Sequence, residues 1–200
     1  MKIKSLLLTA GLAFGGLTAP TASASTVDVI GGVTEVEILS FFTLTNAGFN
    51  VGLLGSATLD ASGLIPVASF GITGGSVDTV TGNALIEHDG SGVSLDNGVD
   101  FVNLENFLVN TETLILSGDV TVNGSFVANV DLFNITGGTL LQLTGGAADA
   151  LNGVFGTSIP EGFKFGHATV SPVVVPVPAA FPLMVTALAG LGFASRRRAA

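Results

Sequence analysis

The sequence predicts a mainly β protein, with a single antiparallel β-sandwich or barrel-like domain, one or two short helices and an apolar segment at each end. Three observations predict this fold class. Short runs rich in Val, Ile, Phe and Thr recur at spacings of about 8–12 residues. Turn dipeptides such as Asn-Gly and Gly-Gly separate these runs, and the 200-residue chain has 28 glycines. All acidic residues lie between Asp28 and Glu161, so the water-exposed domain lies between the two ends.

The first segment, residues 1–24, is predicted to be a secretory signal peptide. Lys2 and Lys4 form its cationic region, and residues 6–17 supply its apolar run. An A-x-A cleavage site follows, defined by Ala22, Ala24 and Ser25, with Ser25 as the new N-terminus. We assign residues 25–171 to one β-rich extracytoplasmic domain, because this length suffices for one hydrophobic core and is short for two.

The first half of the domain combines strands with one ambiguous segment. The glycine pair at 31–32 is predicted to end the first strand. Thr34 and Glu37 have the spacing of a capping box, and Gly48 suits a helix C-terminus, so a short helix is predicted within residues 34–47. Extended segments are predicted over residues 27–30, 49–59 and 64–72.

The second half is predicted to be a series of hairpins. The Asp-Gly-Ser-Gly sequence at 89–92 is predicted to be a loop between two strands, and residues 117–119 a turn between two others. Asn97-Gly98 and Asn123-Gly124 are also predicted turns. A helix closed by Gly156 is predicted over residues 147–155. The other strands are predicted within residues 82–88, 93–95, 99–109, 113–116, 120–122, 125–135, 139–143 and 163–170.

The charge of the domain restricts its partners. The chain has 15 acidic residues, and Lys164 is the only Lys or Arg between Ser25 and Val175. A strongly negative domain excludes nucleic acid and anionic lipid surfaces as partners. The chain has no cysteine, so disulfides do not stabilise it outside the cell. It also lacks Tyr and Trp, the aromatic residues that ligand-binding faces commonly use.

Two patterns suggest a metal, and both have simpler explanations. His88 lies between Glu87 and Asp89, but strand neighbours point to opposite faces, so a solvated hairpin histidine is the favoured interpretation. The acidic loops offer hard oxygen ligands for calcium at Asp89, Asp96 and Asp100. Turn chemistry accounts for the same Asp-Gly and Asn-Gly sequences. We therefore predict no cofactor, with calcium as the alternative.

No motif indicates catalysis. The sequence has no GxSxG, no HExxH and no phosphate-binding glycine loop with lysine. Ser94 and Ser125 have no histidine that spacing assigns as a base, and the pair Glu35 and Glu37 is typical of a solvated face. The prediction is a protein without catalytic residues.

The C-terminal segment, residues 172–200, has three parts in a fixed order. A proline-spaced stretch, which Pro176 and Pro178 keep extended, comes first. Residues 179–195 carry no charge and span roughly 25 Å as a helix, just short of a bilayer core of about 30 Å. Arg196, Arg197 and Arg198 follow and hold the C-terminal end on the cytoplasmic side. We predict a transmembrane helix with an extended approach.

This order resembles the PEP-CTERM class of sorting signals in its VPxPA variant. The matching box is Val175, Pro176, Val177, Pro178 and Ala179, and the arginine cluster is Arg196–Arg198. Val177 and the trailing pair Ala199-Ala200 depart from the main form, which has glutamate in the box. The resemblance implies that an exosortase, in a bacterium that makes exopolysaccharide, removes the tail near the box. The alternative is a single-pass anchor that is never cut.

The domain also resembles a secreted β-rich domain of bacterial surface proteins that has no assigned activity. Together these features predict an exported, exosortase-processed surface or extracellular-matrix protein without catalytic activity. Its predicted partners are the secretion machinery, an exosortase, exopolysaccharide, and the membrane transiently through residues 179–195. The alternatives are a calcium- or polysaccharide-binding module and, least favoured, a hydrolase. The predicted location is the inner membrane first, and then the cell surface or the exterior.

Overall fold

The computed structural model describes residues 26–175, which form two helices and an eleven-stranded sheet. The helices are α1 Phe41–Asn46 and α2 Gly145–Phe155. The strands are β1 Thr26–Glu37, β2 Asn50–Gly55, β3 Thr58–Asp60, β4 Val67–Gly71, β5 Gly74–Asp78, β6 Ala84–Asp96, β7 Phe101–Asn110, β8 Ile115–Val122, β9 Ser125–Thr136, β10 Leu140–Leu143 and β11 Lys164–Val174. A mainly β chain with two short helices is thereby confirmed.

The sheet is antiparallel and its main path closes on itself. Neighbouring strands follow the order β11-β10-β9-β8-β7-β6-β5-β1-β4-β3, and β2 pairs with β6. Strand β1 pairs with β5 through residues 26–28 and with β11 through residues 29–37. Because β1 joins both ends of the path from β5 to β11, the sheet is barrel-like, as predicted.

Strand β1 corrects the helix predicted over residues 34–47. The strand continues through the glycine pair to Glu37, and its side chains alternate between buried and exposed from Val33 onward. Thr34 uses its hydroxyl in a tertiary contact and caps no helix. The helix in this region is only α1, and its N-cap residue, Ser40, makes no side-chain capping bond. The period-two alternation of Thr34 and Val36 with two glutamates therefore outweighs the capping-box spacing.

Two predicted turns are continuous strand. Strand β6 runs through the predicted loop 89–92, which forms a bulge between His88 and Gly92 in its pairing with β7. Strand β8 runs through residues 117–119. Gly118 in this stretch is buried under Leu132 and Phe107, which leave no room for a side chain. In both cases glycine permits a close approach within the sheet and does not end a strand.

Other local predictions are confirmed. Asn123 and Gly124 have φ angles of 49° and 81° and connect β8 to β9, as a two-residue hairpin requires. The turn at Asn97-Gly98 connects β6 to β7. Helix α2 begins at a Thr144 cap, whose side chain accepts a bond from the Ala147 amide, and ends at left-handed Gly156.

The core lies between the inner faces of the sheet and under α2. Ala147, Ala148 and Leu151 are the buried residues of α2, and Phe155 packs edge-to-face on Phe49. Among residues 26–175, no helix is long and apolar enough to cross a bilayer. The predicted membrane segment, residues 179–195, and the predicted signal peptide lie outside the described residues.

Candidate functional site

A buried polar pair lies inside the sheet. His88 is only 1% exposed, and its Nε2 lies 2.7 Å from the hydroxyl of Thr34, which is also buried. Its Nδ1 lies 3.2 Å from the carbonyl oxygen of Phe107. The pair therefore joins β1, β6 and β7. The interpretation of His88 as a solvated hairpin histidine is wrong, because the bulge that follows keeps β6 continuous and turns the imidazole inward.

The hydrogen-bond partners determine the protonation of the ring. A carbonyl oxygen only accepts, so Nδ1 donates to Phe107 and the neutral Nε2 accepts from the Thr34 hydroxyl. Burial lowers the pKa of His88 below its ordinary value, and the bond to Phe107 and the charge of Asp89 oppose this only in part. A neutral imidazole with both nitrogens bonded stabilises the fold and is not available to a ligand.

The interior cavity beside His88 is small and apolar. Its volume is about 40 Å³, enough for a water-sized molecule and too small for a larger ligand. Phe70 and Phe107 meet edge-to-face in its wall with ring centroids 5.5 Å apart. Ser91 is fully buried nearby, but its hydroxyl donates to the backbone carbonyl of His88 and not to the ring. Ser91 and His88 therefore do not form a nucleophile and base pair.

An open polar depression lies on the outer face of the sheet. It measures about 570 Å³ and collects acidic and amide side chains of β6 to β9: Glu87, Asp89, Asn106, Asp119 and Asn129. The two carboxylate oxygens of Asp119 accept one bond each, from Asn106 Nδ2 at 2.9 Å and Asn129 Nδ2 at 3.0 Å. Both bonds lower the pKa of Asp119, and the bond from Asn106 has the larger effect. The carboxylate is thus held ionised and in a fixed orientation.

The bulge of β7 and the bulge of β6 shape this depression together. Asn106 has a φ angle of 53°, and its side-chain oxygen accepts a bond from the Gly90 amide at 2.8 Å. The amide of Asp89 is bonded to the Thr73 hydroxyl at 2.9 Å. No local pattern predicts either group of residues. Thr34 and His88 are 54 positions apart, and the cluster forms only when the register of the consecutive strands β6 to β9 brings its members together.

The three residues predicted for calcium do not converge. Asp89 lies at the bulge and Asp96 at the end of β6, roughly 20 Å away at the rise of a strand. Asp96 accepts a bond from the Gly98 amide, and Asp100 accepts one from Asn123 Nδ2 at 2.8 Å. Within residues 26–175, no group of three or more His, Asp or Glu side chains is placed to hold a metal ion.

The two ends of the described chain lie side by side. Val29 of β1 pairs with Val174 of β11, and the Val175 amide donates to the Asp28 carbonyl at 3.0 Å. Val175 is the first residue of the predicted sorting box, and Thr26 follows the predicted signal cleavage site. The other box residues and the arginine cluster, like Ala22, Ala24 and Ser25, lie outside the described residues.

Comparison with known proteins defines a fold but no family. No family model matches the chain, and no curated protein matches it. The C-terminal domain of HtaA from Corynebacterium glutamicum has a similar structure, with a TM-score of 0.56 and 13% identity over 74% of this chain and 99% of that one. The heme binding protein HtaB from the same organism has a TM-score of 0.46 and 11% identity over 76% and 98% of the two chains. The chain therefore shares the fold of the HtaA domain.

The predicted cofactor was none, with calcium as the alternative, and the positions of the acidic residues in the structure correct the calcium alternative. The described acidic residues form no calcium cluster, because turn bonds engage Asp96 and Asp100 while Asp89 lies apart from both.

Proposed function

We propose that this chain is an exported surface or extracellular-matrix protein without catalytic activity, delivered by a cleavable signal at each end. The signal peptide directs export, residues 179–195 hold the chain transiently in the inner membrane, and an exosortase removes the tail. The mature domain then lies at the cell surface or outside the cell.

The observation that best supports this proposal is the pairing of the two ends. Val175, where the proposed sorting box begins, donates its amide to the carbonyl oxygen of Asp28 in the first strand. Only residues 176–178 separate Val175 from the predicted membrane segment, at most about 10 Å of extended chain. The end of the domain that carries Asp28 therefore faces the membrane until the tail is cut.

The partner that we propose outside the cell is the exopolysaccharide of the producing bacterium. The outer depression presents amide and carboxylate groups, such as Asn129 and Asp119, to a hydroxyl-rich chain. Asp119 keeps lone pairs for hydroxyl donors beyond the two amide bonds that it accepts. Its negative charge favours a neutral glycan over an acidic one.

Heme, the ligand of HtaB, does not fit the described residues. Axial ligands of heme iron are His, Cys, Met or Tyr, and this sequence has no Cys or Tyr. Both nitrogens of buried His88 are bonded, and its cavity holds only a water-sized molecule. His167 is half-buried, pairs across the strands with Glu37 and bonds Thr139 through Nδ1 at 3.2 Å. A carboxylate beside this imidazole provides no apolar wall for a porphyrin face.

Fractionation of the native host tests the proposed function. We expect the wild-type protein in the surface and exopolysaccharide fractions, without residues 183–194. Pro176→Ala combined with Pro178→Ala should leave export intact and cause the full-length chain to accumulate in the inner membrane. Changing Arg196, Arg197 and Arg198 to alanine should lower processing, because the cytoplasmic stop is lost. The intact mass of the protein in each fraction tests the expectations for the wild type, the proline variant and the arginine variant.

Pro160→Ala is the matched control, because Pro160 is exposed and lies outside the box. This variant should be processed like the wild type. If the wild-type protein retains residues 183–194 at steady state while the sorting enzyme is present, the tail is an ordinary anchor and the proposal is wrong.

A further inference from the structure

One region of the domain surface is almost free of charge. The 40 residues from Ile38 to Val77 contain a single acidic residue, Asp60, and no Lys, Arg or His, although the chain has 15 acidic residues. This uncharged segment forms α1, β2, β3, β4 and most of β5. Repulsion between two copies of this acidic domain is therefore weakest where the uncharged segment forms the surface.

The uncharged segment also exposes a patch of large apolar side chains. Each of them is more than a third exposed, and Leu64 is 92% exposed. The members of this apolar patch are Leu39, Phe42, Leu59, Leu64 and Ile65. Exposed apolar side chains that cluster on a soluble protein mark a surface that binds a partner.

The backbone brings the members of the apolar patch together. The hairpin of β3 and β4 supplies three of them, and the turn from β1 into α1 supplies the other two. The amide of Ile38 donates to the carbonyl oxygen of Pro66 at 2.9 Å, which places Leu39 beside Ile65. Two parts of the chain thus contribute to one apolar surface.

We infer that the apolar patch is the contact between two copies of this chain. A second copy presents the same uncharged surface, so the contact buries hydrocarbon from both copies while the carboxylates stay in water. A two-fold axis through the patch makes this surface its own complement. Contact through the outer depression would instead bring Glu87, Asp89 and Asp119 of the two copies together.

Two other occupants do not fit the apolar patch. A glycan needs hydrogen-bonding groups, which Leu, Ile and Phe side chains lack, and the patch shares no residue with the outer depression. A bilayer would have to reach the far end of β1. Val174, beyond which the chain leads to the predicted membrane segment, pairs with Val29, and Glu37 lies roughly 25 Å further along β1. The patch begins two residues after Glu37.

The mass of the chain in solution tests this inference. The full-length chain is purified from the native host in mild detergent, so that cut and uncut chains are both measured, and light scattering follows a concentration series. We expect a dimer at about 100 μM. Raising the salt concentration from about 50 mM to about 500 mM should tighten the dimer, because salt screens the repulsion between the two acidic domains.

A pair of variants tests whether the apolar patch is the contact. Leu64→Asp adds a charge at a side chain that is already exposed, so the fold is kept and dimerisation should weaken at least about tenfold. Val80→Asp is the matched control. Val80 is 70% exposed in the turn after β5, whose last residue, Asp78, pairs with Thr26 at the start of β1. This variant should dimerise like the wild type.

Three results overturn the inference. The first is a wild-type chain that stays monomeric at about 100 μM. The second is a dimer that survives Leu64→Asp or that salt weakens, since another surface would then form the contact. The third is a chain recovered one-to-one with a different protein that Leu64→Asp releases, because the patch would then belong to that partner.

Discussion

His88 shows how a single residue connects the chemistry of a side chain to the stability of this fold. The ring is buried and neutral, donates to β7 through Nδ1 and accepts from β1 through Nε2. Protonation would place a positive charge in an apolar interior, which is unfavourable without a carboxylate partner. Asp89 is next in the chain, but it lies exposed on the outer face of the bulge.

We predict that His88 makes folding sensitive to mild acid. Its pKa in the folded state lies below the ordinary value of 6.5. As the pH falls, the unfolded chain therefore takes up the proton first, and the free energy of unfolding decreases below about pH 6.5 until the folded-state pKa is reached. Above about pH 6.5 this contribution is constant. Urea unfolding at about pH 7.5 and about pH 5 measures the difference.

His88→Gln should remove most of this pH dependence, and should also lower stability by about 1–3 kcal/mol through imperfect replacement of the two buried bonds. The control is His167→Gln, which replaces the other histidine and leaves both bonds of His88 in place. Asp60, Asp78 and Asp119 have pKa values lowered from 3.8, so they titrate below this window. An unchanged dependence in His88→Gln would show that another group is responsible.

At the scale of elements, the sequence predicts chain reversals well where Asn-Gly occurs between strands. Asn97-Gly98 and Asn123-Gly124 are turns, because both residues of each pair tolerate the backbone angles that a tight reversal requires. Gly90 and Gly118 also lie between small polar residues, but both are within strands. Gly118 is packed against by Phe107 of β7 and Leu132 of β9, and Gly90 lies in the bulge of β6 with a φ angle of 70°. No local sequence pattern contains that information. For the same reason, the loop predicted at residues 89–92 is wrong, and β6 continues through them.

The candidate sites, too, depend on which strands pack together and not on local sequence patterns. The calcium prediction used acidic residues close in sequence, and the strand geometry of β6 separates Asp89 from Asp96. The outer depression unites Asn106, Asp119 and Asn129 from three strands, which becomes visible only once the register of β7, β8 and β9 is known. The two predicted end signals are each contiguous in sequence, so predicting them requires no knowledge of strand register.

A pair of glycine variants tests the close packing of β6 on β7. A Cβ at Gly92 would lie 2.3 Å from the Leu104 carbonyl oxygen and 3.0 Å from the Cα of Glu105. Gly92→Ala should therefore separate the two strands and destabilise the domain by about 2–4 kcal/mol. Gly71→Ala, at a strand glycine with open space, should change stability by less than about 1 kcal/mol. Equal urea midpoints for the two variants would contradict this packing.

At the scale of the whole molecule, the fold is closed by its first and last strands. Strand β1 contains the first described residues and β11 nearly the last, and their pairing runs from Val29–Val174 to Glu37–His167. Contacts so distant in sequence form only once almost the whole domain is present. The predicted domain boundary at residue 171 lies inside this ladder, because β11 continues to Val174.

We predict that residues 172–175 complete the folded domain. A fragment of residues 26–175 retains the pairs of β1 with Pro172, Val173 and Val174 and the Val175 bond to Asp28. A fragment of residues 26–171 loses all of them, and should be less stable by about 2–4 kcal/mol at about 1 kcal/mol for each lost backbone bond. Both should remain rich in β structure by circular dichroism. Urea midpoints of the two fragments, at equal slope, measure the difference. Coincident midpoints would show that the pairing beyond Ser171 contributes nothing to stability. The domain would then end at residue 171, as the sequence predicts.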